Sequence, residues 1–453
     1  MNQAWQRFKK DWQGKRVVIM GLGIQGGGVD TANCFAEIGC QVTITDLKPA
    51  SELEPSLRRL KKGFPFRLVL GRHWEEEFAN CDLIIKNPAV RPDSPYLQLA
   101  RKKGVPIRMS TSLFARYCPA KMVGVTGTRG KSTTTALIFE VLKKTGNQVW
   151  LGGNVPQAAT LSLLKKVAAD HWVVLELSSW ELWGFHQEKL SPPVAVFTNV
   201  YPDHLNYYSS LADYVKDKTA IFRYQSKDDL LVINRDNAET RRLAATAPSQ
   251  VVWFSRRDWP ASWPLKLKGE HNRENAAAAF KTVTALGVGK DLARKVIARF
   301  GGLPYRLEPV GKVRGVEFIN DTTSTTPTAT EKALEALEKP LVLIAGGADK
   351  NLPLASLAKR ITQEKKVKRV VLLKGTATPK LEKLIRGYGG GPKLMGRFDE
   401  LKRAVLAAYS VASPGEVVLL SPGCASFGMF KNEFDRGEQF NQVVADLEKK
   451  LDD

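Results

Sequence analysis

The sequence has little of what membrane-spanning, secreted and metal-binding proteins carry. No apolar run among its 453 residues approaches the roughly 20 that a membrane-spanning helix needs. The start, MNQAWQRFKKDWQGK, lacks the continuous apolar core of a signal peptide. The five cysteines are scattered without metal-site spacing. We therefore expect a cytoplasmic protein with reduced thiols and no membrane partner.

Acidic residues are scarce beside basic ones. The chain has 46 Asp and Glu against 68 Lys and Arg, a net charge of +22. A positive charge of this size is typical of proteins that bind nucleic acids. However, the basic residues are spread along the whole chain, with no basic arm, aromatic RNA-binding motif or helix-turn-helix pattern. We therefore expect no nucleic-acid partner, since a basic protein that binds polyanionic small molecules needs none.

Short β-branched runs alternate with helix-like stretches throughout, which predicts an α/β protein with parallel sheets covered by helices. The length is too great for one ordinary core, and Pro- or Gly-rich breaks occur at 115–121 and 300–306. We predict three domains: a Rossmann-like domain at 1–116, a central parallel sheet of P-loop ATPase type at 117–303, and a second Rossmann-like domain at 304–453. The predicted strands are 17–21, 41–46, 66–71, 82–87 and 106–109; 122–127, 148–154, 172–179, 194–200 and 230–234; and 316–321, 341–347, 369–375 and 417–423.

The first glycine-rich segment, GLGIQGGGVD (21–30), follows an apolar strand and matches the dinucleotide fingerprint G-x-G-x-x-G. Asp46 ends the next strand, about 20 residues further on, where a ribose-binding acid is expected. On these residues alone, a nicotinamide cofactor is the leading interpretation. The remainder of the chain argues against it, because no other segment suggests a site for hydride transfer.

The second glycine-rich segment, GVTGTRGKSTTT (124–135), lies directly after a strand and before a helix-like stretch, as a phosphate loop requires. Backbone N–H groups and a helix N-terminus attract phosphate oxygens there. Lys131 would reach the β- and γ-phosphates, and Ser132 would bind Mg²⁺. Val125 stands where the strict pattern has Gly, so an ordinary Gly-rich turn remains the alternative.

Further motifs, in the same order along the chain, make this sequence similar to the Mur ligases; the variant loop TGTRGKST also resembles that of the folylpolyglutamate synthases. The resemblance implies an ATP-dependent ligase that joins a carboxylate to an amine. In particular, it implies addition of D-glutamate to UDP-N-acetylmuramoyl-L-alanine through an acyl phosphate, in peptidoglycan precursor synthesis. The motifs are GGN (152–154), LELSSW (175–180), NVYPDHL (199–205), GEHNRENAAAA (269–279), GLPYRLE (302–308), NDTTSTTP (320–327), GGADK (346–350) and SPGCASFGMFKNEFDRGEQF (421–440).

The same resemblance implies roles for particular residues. It implies two Mg²⁺ sites with Ser132, Glu176, His204 and a carbamylated Lys218 as ligands. The ATP contacts that it implies are Gly127, Thr128, Arg129, Gly130, Lys131, Ser132, Thr133, Asn272, Asn275, Arg306 and Asp321. Contacts to the UDP-linked substrate are expected from Gly23, Ile24, Gln25, Asp46, Asn87 and Asn154, and contacts to the amino acid from Lys350, Ser426 and Phe427. The catalytic residues would be Lys131, His204, Lys218, Asp321 and Lys350.

Taken singly, several of these residues have ordinary alternatives. Glu176 could cap a helix, His204 could be a loop histidine, and Lys218 or Arg306 could lie on the surface. The sequence also departs from the family pattern at four places: Arg129 replaces Asn, Asn87 begins NPAV instead of SPG, Thr323 replaces Lys, and Glu433 replaces an aromatic residue. These departures bear on amino-acid specificity more than on the reaction type.

Other functions stay open at this stage. A sister Mur ligase with a different amino acid, or a folylpolyglutamate synthase-like ligase, would share most of the motifs. A nucleotide-binding module without catalysis is a third interpretation, and retention of the charged motif residues speaks against it. We expect a monomer that acts on small molecules.

Overall fold

The computed structural model describes residues 2–24, 26–155, 159–203 and 207–452, without the side chains of 450–452. The chain forms two compact units, one of residues 1–265 with 271–300, the other of residues 266–270 with 301–453. The first unit contains two sheets and the second contains one. In the described part of the chain, no helix combines the length and apolarity needed to cross a membrane.

The first sheet is parallel, with strand order β3-β2-β1-β4-β5. Its central strands, β1 and β4, are almost entirely buried, as expected for parallel strands covered on both faces. Its elements are α1 (Gln3–Trp12), β1 (Arg16–Met20), α2 (Gly27–Glu37), β2 (Gln41–Asp46), α3 (Ala50–Leu57), β3 (Phe66–Leu70), α4 (Glu75–Ala79), β4 (Leu83–Lys86), α5 (Pro95–Lys102), β5 (Ile107–Arg108) and α6 (Ser110–Tyr117).

The second sheet is also parallel, with order β11-β10-β9-β6-β8-β7. In the same compact unit, a continuous hydrophobic cluster joins residues of the first two sheets, such as Phe35 and Phe197. The strands of the second sheet and the helices around it are β6 (Lys121–Thr126), α7 (Lys131–Lys144), β7 (Val149–Gly153), β8 (Trp172–Glu176), α8 (Ser179–Glu188), β9 (Val194–Phe197), α9 (Leu211–Thr219), β10 (Leu230–Asn234), α10 (Ala238–Ala244), β11 (Gln250–Phe254), α11 (Glu270–Ala285) and α12 (Lys290–Arg299).

The third sheet has the order β12-β13-β17-β14-β15-β16, and only the edge strand β12 pairs antiparallel. The strands β11, β12 and β16 were not among the predicted ones. The strands of the third sheet and the helices around it are β12 (Glu308–Val313), β13 (Val316–Asn320), α13 (Pro327–Ala336), β14 (Leu341–Ala345), α14 (Ala355–Gln363), β15 (Val367–Leu373), α15 (Thr378–Gly387), β16 (Leu394–Phe398), α16 (Leu401–Ser410), β17 (Val417–Leu420) and α17 (Glu433–Asp452).

The motif residues follow the carboxyl ends of neighbouring strands in every sheet. In the first sheet they follow the adjacent strands β2, β1 and β4. In the second they follow β9, β6, β8 and β7, and in the third β13, β17 and β14. Because open parallel sheets bind ligands at this edge, each sheet presents one candidate binding edge.

Candidate active site

The loop 127–130 joins β6 to α7 and requires glycine at both ends. Gly127 has a φ of 147°, and a Cβ there would lie 1.9 Å from Thr198 Oγ1. Gly130 has a φ of 81°, and its Cβ would lie 2.1 Å from Asn275 Oδ1. Gly130 also precedes the first residue of α7 and offers no capping side chain. The N–H groups at the start of α7 therefore face a space suited to phosphate oxygens.

The loop is held from the neighbouring strand β9. Asn199 accepts the Thr128 N–H with its carbonyl oxygen at 2.9 Å and the Arg129 N–H with its Oδ1 at 2.9 Å. Thr198 Oγ1 donates to the Arg129 carbonyl oxygen at 2.6 Å. The Arg129 side chain itself is exposed. These hydrogen bonds fix the loop backbone, and fixed N–H donors are the preorganisation that phosphate binding needs.

Lys131 is the first residue of α7 and bends back over this loop. Its Nζ donates to the carbonyl oxygens of Gly127 at 3.0 Å and Thr128 at 3.1 Å. Ser132 follows it and is half-buried, whereas Thr133 is buried. The arrangement places an ammonium group and a hydroxyl group beside the expected phosphates.

Lys218 lies in α9 and is buried against the same loop, with 1% of its surface exposed. Its Nζ donates to the Gly127 carbonyl oxygen at 2.8 Å and lies 3.4 Å from Thr126 Oγ1. Burial, together with the charge of Lys131, lowers the pKa of Lys218 well below its ordinary value. The surface-lysine alternative is therefore wrong, because the amine is buried at the phosphate loop.

Glu176 ends β8 directly beside β6, where Val125 is its pairing partner. It is 3% exposed, and Asn154 Nδ2 donates to its Oε1 at 3.2 Å. The sheet thus brings Glu176 and Asn154 to the edge that carries the phosphate loop. Two predicted residues, Gln25 and His204, lie outside the described residues.

The pair Asn272 and Asn275 lies on one buried face of α11. Asn275 Nδ2 donates to Asn272 Oδ1 at 3.0 Å, and Asn275 Oδ1 approaches Gly130 closely. This packing places both amides at the start of α7, next to the predicted nucleotide site.

The glycine-rich loop of the first sheet is tied to Asp46. The carboxylate accepts the Gly23 N–H at 3.2 Å and the Lys48 N–H at 3.0 Å. Ile24 is half-buried in the same loop. A Cβ at Gly28 would lie 2.2 Å from the Leu22 carbonyl oxygen, so the helix packs against the strand as the fingerprint requires.

Asp321 follows β13 in the second compact unit and is 2% exposed. It accepts the Leu307 N–H at 3.1 Å and the Ser421 hydroxyl at 2.7 Å. Burial raises the pKa of Asp321 to about 6, although hydrogen bonds from Ser324 and Ser421 oppose the shift. The structure brings this carboxyl group next to the predicted Arg306 segment.

Arg306 is exposed and stands between two residues in the left-handed backbone region, Tyr305 (φ 63°) and Leu307 (φ 45°). Thr323 holds this strained segment, because its hydroxyl donates to the Tyr305 carbonyl oxygen at 2.8 Å. Glu308 accepts the Tyr305 N–H at 2.8 Å. Strain of this kind persists where the surroundings fix it, commonly at functional sites.

Lys350 lies beside a small pocket in the second compact unit. Its Nζ donates to Thr325 Oγ1 at 2.8 Å. Ser426 is buried and Phe427 is 56% exposed, and neither lines this pocket. A bridge between Ala348 and Ala425 nevertheless sets the segment that carries Ser426 and Phe427 alongside the segment that carries Lys350. The pocket is lined by Thr325, Pro327, Ala348, Asp349, Lys350, Leu352, Leu354, Ala377, Gly423 and Cys424.

Each of the three sheets lies largely in a segment that matches a known family domain. Residues 15–109 match the MurD-like N-terminal domain of Mur ligases. Residues 125–263 match the Mur ligase middle domain, and residues 305–424 match the Mur ligase glutamate ligase domain. The chain belongs to the Mur ligase family.

Curated relatives of this Mur ligase match along nearly their whole length. A UDP-N-acetylmuramoylalanine–D-glutamate ligase from Roseiflexus sp. (strain RS-1) is 41% identical, covering 95% of this chain and 98% of the relative. The enzyme of the same name from Acetivibrio thermocellus is 36% identical, covering 99% and 100%. The predicted family resemblance is therefore confirmed.

Solved structures agree on the α/β fold. UDP-N-acetylmuramate-alanine ligase MurC from Thermotoga maritima aligns with a TM-score of 0.64 at 20% identity, covering 95% of this chain and 99% of that one. MurF ligase from Thermotoga maritima, in complex with ADP, aligns at 0.59 and 18% identity, covering 100% and 99%. The predicted fold class is confirmed, and the domain boundaries stay predictions.

The residues at the phosphate loop of this Mur ligase suit Mg²⁺ by their chemistry. Glu176 supplies a carboxylate and Ser132 a hydroxyl group, and Mg²⁺ prefers such oxygen ligands. Within the described ranges, no cluster of three or more His, Cys, Asp or Glu side chains occurs. Mg²⁺ sites commonly use one or two carboxylates together with waters and substrate phosphates, so the donor set fits this ion.

Some residues that shape the site were missed from the sequence. Thr198 and Asn199 fix the phosphate loop, although only His204 of the motif NVYPDHL, which begins at Asn199, was singled out. Arg59 brings its guanidinium over the glycine loop of the first sheet, within 2.8 Å of where a Cβ at Gly26 would lie. Arg436, in α17, is fully buried and donates to Thr322 Oγ1 at 2.8 Å. Charge pattern alone gave no indication of these contacts.

The structure also gives the departures from the family pattern local roles. Thr323 holds the Tyr305 segment, as described above. Glu433 is the first residue of α17, where an acidic side chain is favourable for the helix dipole. Its carbonyl oxygen accepts the Thr322 hydroxyl at 2.9 Å. Glu433 therefore has a structural function near β13 that does not depend on an aromatic ring.

Proposed function

We propose that this chain is an ATP-dependent ligase that adds D-glutamate to UDP-N-acetylmuramoyl-L-alanine in peptidoglycan precursor synthesis. The supporting observation is the edge of the second sheet, where the phosphate loop, Lys131, Glu176 and the buried Lys218 meet. The names of the curated relatives support the choice of substrate and amino acid.

The three sheets divide the reactants in this proposal. Residues 1–116 bind the UDP part of the acceptor through Gly23, Ile24, Gln25, Asp46 and Asn87. Residues 117–303 bind ATP at the phosphate loop. Residues 304–453 bind the amino acid, with Lys350, Ser426 and Phe427 as contacts. Arg306 and Asp321 contribute to the nucleotide from the same C-terminal region, and the enzyme acts as a monomer.

In the first step, an oxygen of the alanine carboxylate attacks the γ-phosphorus of ATP, and the bond to ADP breaks. Lys131 and the N–H groups of α7 hold the transferring phosphoryl group and offset its negative charge. Mg²⁺, when bound, adds positive charge at the phosphate oxygens. Thr198 and Asn199 keep the loop in place during this transfer, because they fix its backbone.

In the second step, the amine of D-glutamate attacks the acyl carbon of the mixed anhydride. The tetrahedral intermediate collapses to the amide and releases phosphate, and the attacking nitrogen loses a proton. Lys350 would hold a carboxylate of the amino acid; its ammonium group, beside Thr325, supports this role. Charge-assisted contacts of this kind are strong.

We further propose that Lys218 carries a carbamate. Its buried amine has a depressed pKa, so more of it is neutral and able to attack CO₂. A carbamate converts this cation into an oxygen ligand beside Glu176 and Ser132. Together with His204, these residues would hold two Mg²⁺ ions.

The proposed substrate specificity is tested by identifying the product by mass spectrometry. The full chain is incubated with ATP, Mg²⁺, UDP-N-acetylmuramoyl-L-alanine and each of a panel of amino acids. We expect ADP release and a product heavier by one glutamyl residue with D-glutamate only. Turnover with another amino acid, or with a folate acceptor instead, would contradict the proposal and favour a sister ligase.

A further inference from the structure

Lys86, the last residue of β4, is a buried lysine that the reaction described above does not use. It is 1% exposed. Its Nζ donates to the carbonyl oxygens of Val90 at 2.8 Å, Asn87 at 3.2 Å and Pro88 at 3.4 Å. An ammonium group has three donors and no acceptor. Three converging carbonyl groups therefore match the donor capacity of this side chain.

The surroundings of Lys86 offer no direct charge partner. The ring of Trp183, from α8, lies 5.0 Å from Nζ, and no described carboxylate comes within ion-pair distance. Burial lowers the pKa of Lys86 to about 7, while the more distant Asp217 opposes the shift. Burying a lysine in this way is unfavourable, so the hydrogen bonds to the loop must offset a considerable cost.

If Lys86 were replaced, loop 87–90 would lose the ammonium group to which three of its carbonyl oxygens bind. The carbonyl oxygens of Asn87, Pro88 and Val90 point toward the same small volume. The Tyr207 hydroxyl also donates to Val90 at 3.2 Å, and the Val90 N–H donates to Asn87 at 3.0 Å. Without Lys86, the carbonyl oxygens of Asn87 and Val90 would each keep one donor, the carbonyl oxygen of Pro88 would lose its donor, and the three carbonyl groups would lose the one group that joins them.

The opposite side of this loop presses against the glycine loop of the first sheet. Asn87 Nδ2 donates to the Gly21 carbonyl oxygen at 3.2 Å, and Asn87 Oδ1 accepts the Ala89 N–H at 3.0 Å. A Cβ at Gly21 would lie 2.8 Å from Asn87 Cβ, and one at Gly23 would lie 3.3 Å from Asn87 Nδ2. The position of Asn87 thus fixes the space beside the glycine loop.

We propose that Lys86 is a positioning residue for the UDP-linked substrate: its ammonium group holds loop 87–90 in the shape that sets Asn87 against the glycine loop. This inference rests on the proposed function, in which the first sheet binds the UDP group. Lys86 itself touches no reactant, so its loss weakens acceptor binding and leaves ATP binding unchanged.

The test uses the full chain with Lys86→Met, which keeps the chain length and removes the donors. Lys102→Met, at an exposed position in α5, is the matched control. Binding of UDP-N-acetylmuramoyl-L-alanine and of a non-hydrolysable ATP analogue is measured by calorimetry. We expect the acceptor Kd of Lys86→Met to rise at least about tenfold, the worth of one charged hydrogen bond. The ATP-analogue Kd and both constants of Lys102→Met should stay within about twofold, well below that change.

Each other outcome has a distinct meaning. Wild-type acceptor affinity in Lys86→Met would overturn the positioning role. Equal losses for both ligands, with a lower melting temperature, would show a general folding role and also overturn it. If the wild-type chain binds the ATP analogue but not the acceptor, the proposed function of the first sheet fails. Steady-state kinetics should agree, with a raised KM for the acceptor and a nearly unchanged kcat.

Discussion

At the residue scale, the burial of Lys218 decides its chemistry. A lysine in water is about one part in a thousand neutral near neutral pH. In this site, the amine is buried against the Gly127 carbonyl oxygen and lies near the positive charge of Lys131. Both effects favour the neutral form. In our proposal, this neutral amine is the form that reacts with CO₂ to give the carbamate.

Replacing Lys218 by Ala should lower kcat at least about 100-fold, because the loss of a metal-binding group has effects of this size or more. Added formate or acetate should restore part of the activity by supplying a carboxylate in the vacated space. The measurement is ADP release with and without the added acid. Lys216→Ala, exposed on the same helix, serves as control and should keep full activity. Undiminished turnover in Lys218→Ala without rescue would refute the carbamate.

Some residues of the site could be foreseen from the sequence and others could not. Lys131 and Glu176 follow apolar strands, so their place at a sheet edge was predictable. The contacts of Thr198, Arg59 and Arg436 depend on tertiary packing, which charge and periodicity do not encode. The burial of Lys218 belongs to the same class, because α9 alone could equally face solvent.

At the element scale, the buried parallel strands and the edge strands β3, β5 and β7 were predictable, and the edge strands β11, β12 and β16 were not. β11 and β16 are edge strands that are only partly buried, and β16 contains Gly396 and Arg397. β12 contains Pro309 and Gly311, which weaken a strand pattern. It pairs with β13 across a register shift between these two residues. Local sequence preference is weak at such edges, and pairing with the neighbouring strand stabilises them.

The turn between β12 and β13 provides a test at this scale. Val313 pairs with Val316, and the two intervening residues, Arg314 and Gly315, have φ values of 47° and 84°. Two positive φ values fit a type I′ turn, for which Asn-Gly is preferred. Arg314→Asn should therefore stabilise the hairpin by about 0.5–1 kcal/mol, because Asn tolerates this region better than Arg.

All ten tryptophans precede residue 264, so the compact unit that contains this hairpin has no tryptophan to report its stability by fluorescence. Hydrogen exchange is therefore the suitable measurement. Amides of β12 and β13 in Arg314→Asn should exchange about two- to fivefold more slowly than in the wild type. Arg314→Gln removes the same charge without relieving the backbone and should leave the rate unchanged. Equal protection in the two variants would mean that charge, not backbone conformation, is responsible.

At the scale of the whole molecule, the proposed function assigns one anionic reactant to the candidate binding edge of each of the three sheets. The UDP-linked acceptor, ATP and glutamate all carry negative charge, and the protein has a net charge of +22. A positive field raises the local concentration of such reactants. The division of the chain into an acceptor, a nucleotide and an amino-acid region stays a prediction.

The central claim is that the phosphate loop transfers a phosphoryl group to the carboxylate of the acceptor. The most direct measurement uses acceptor labelled with ¹⁸O at both oxygens of its alanine carboxylate, with D-glutamate, ATP and the wild-type chain. If the acyl phosphate forms, breaking its carbon–oxygen bond leaves one carboxylate oxygen in the released phosphate. We predict one ¹⁸O atom in each phosphate formed, detected by mass spectrometry. Amide product accompanied by unlabelled phosphate would contradict the account.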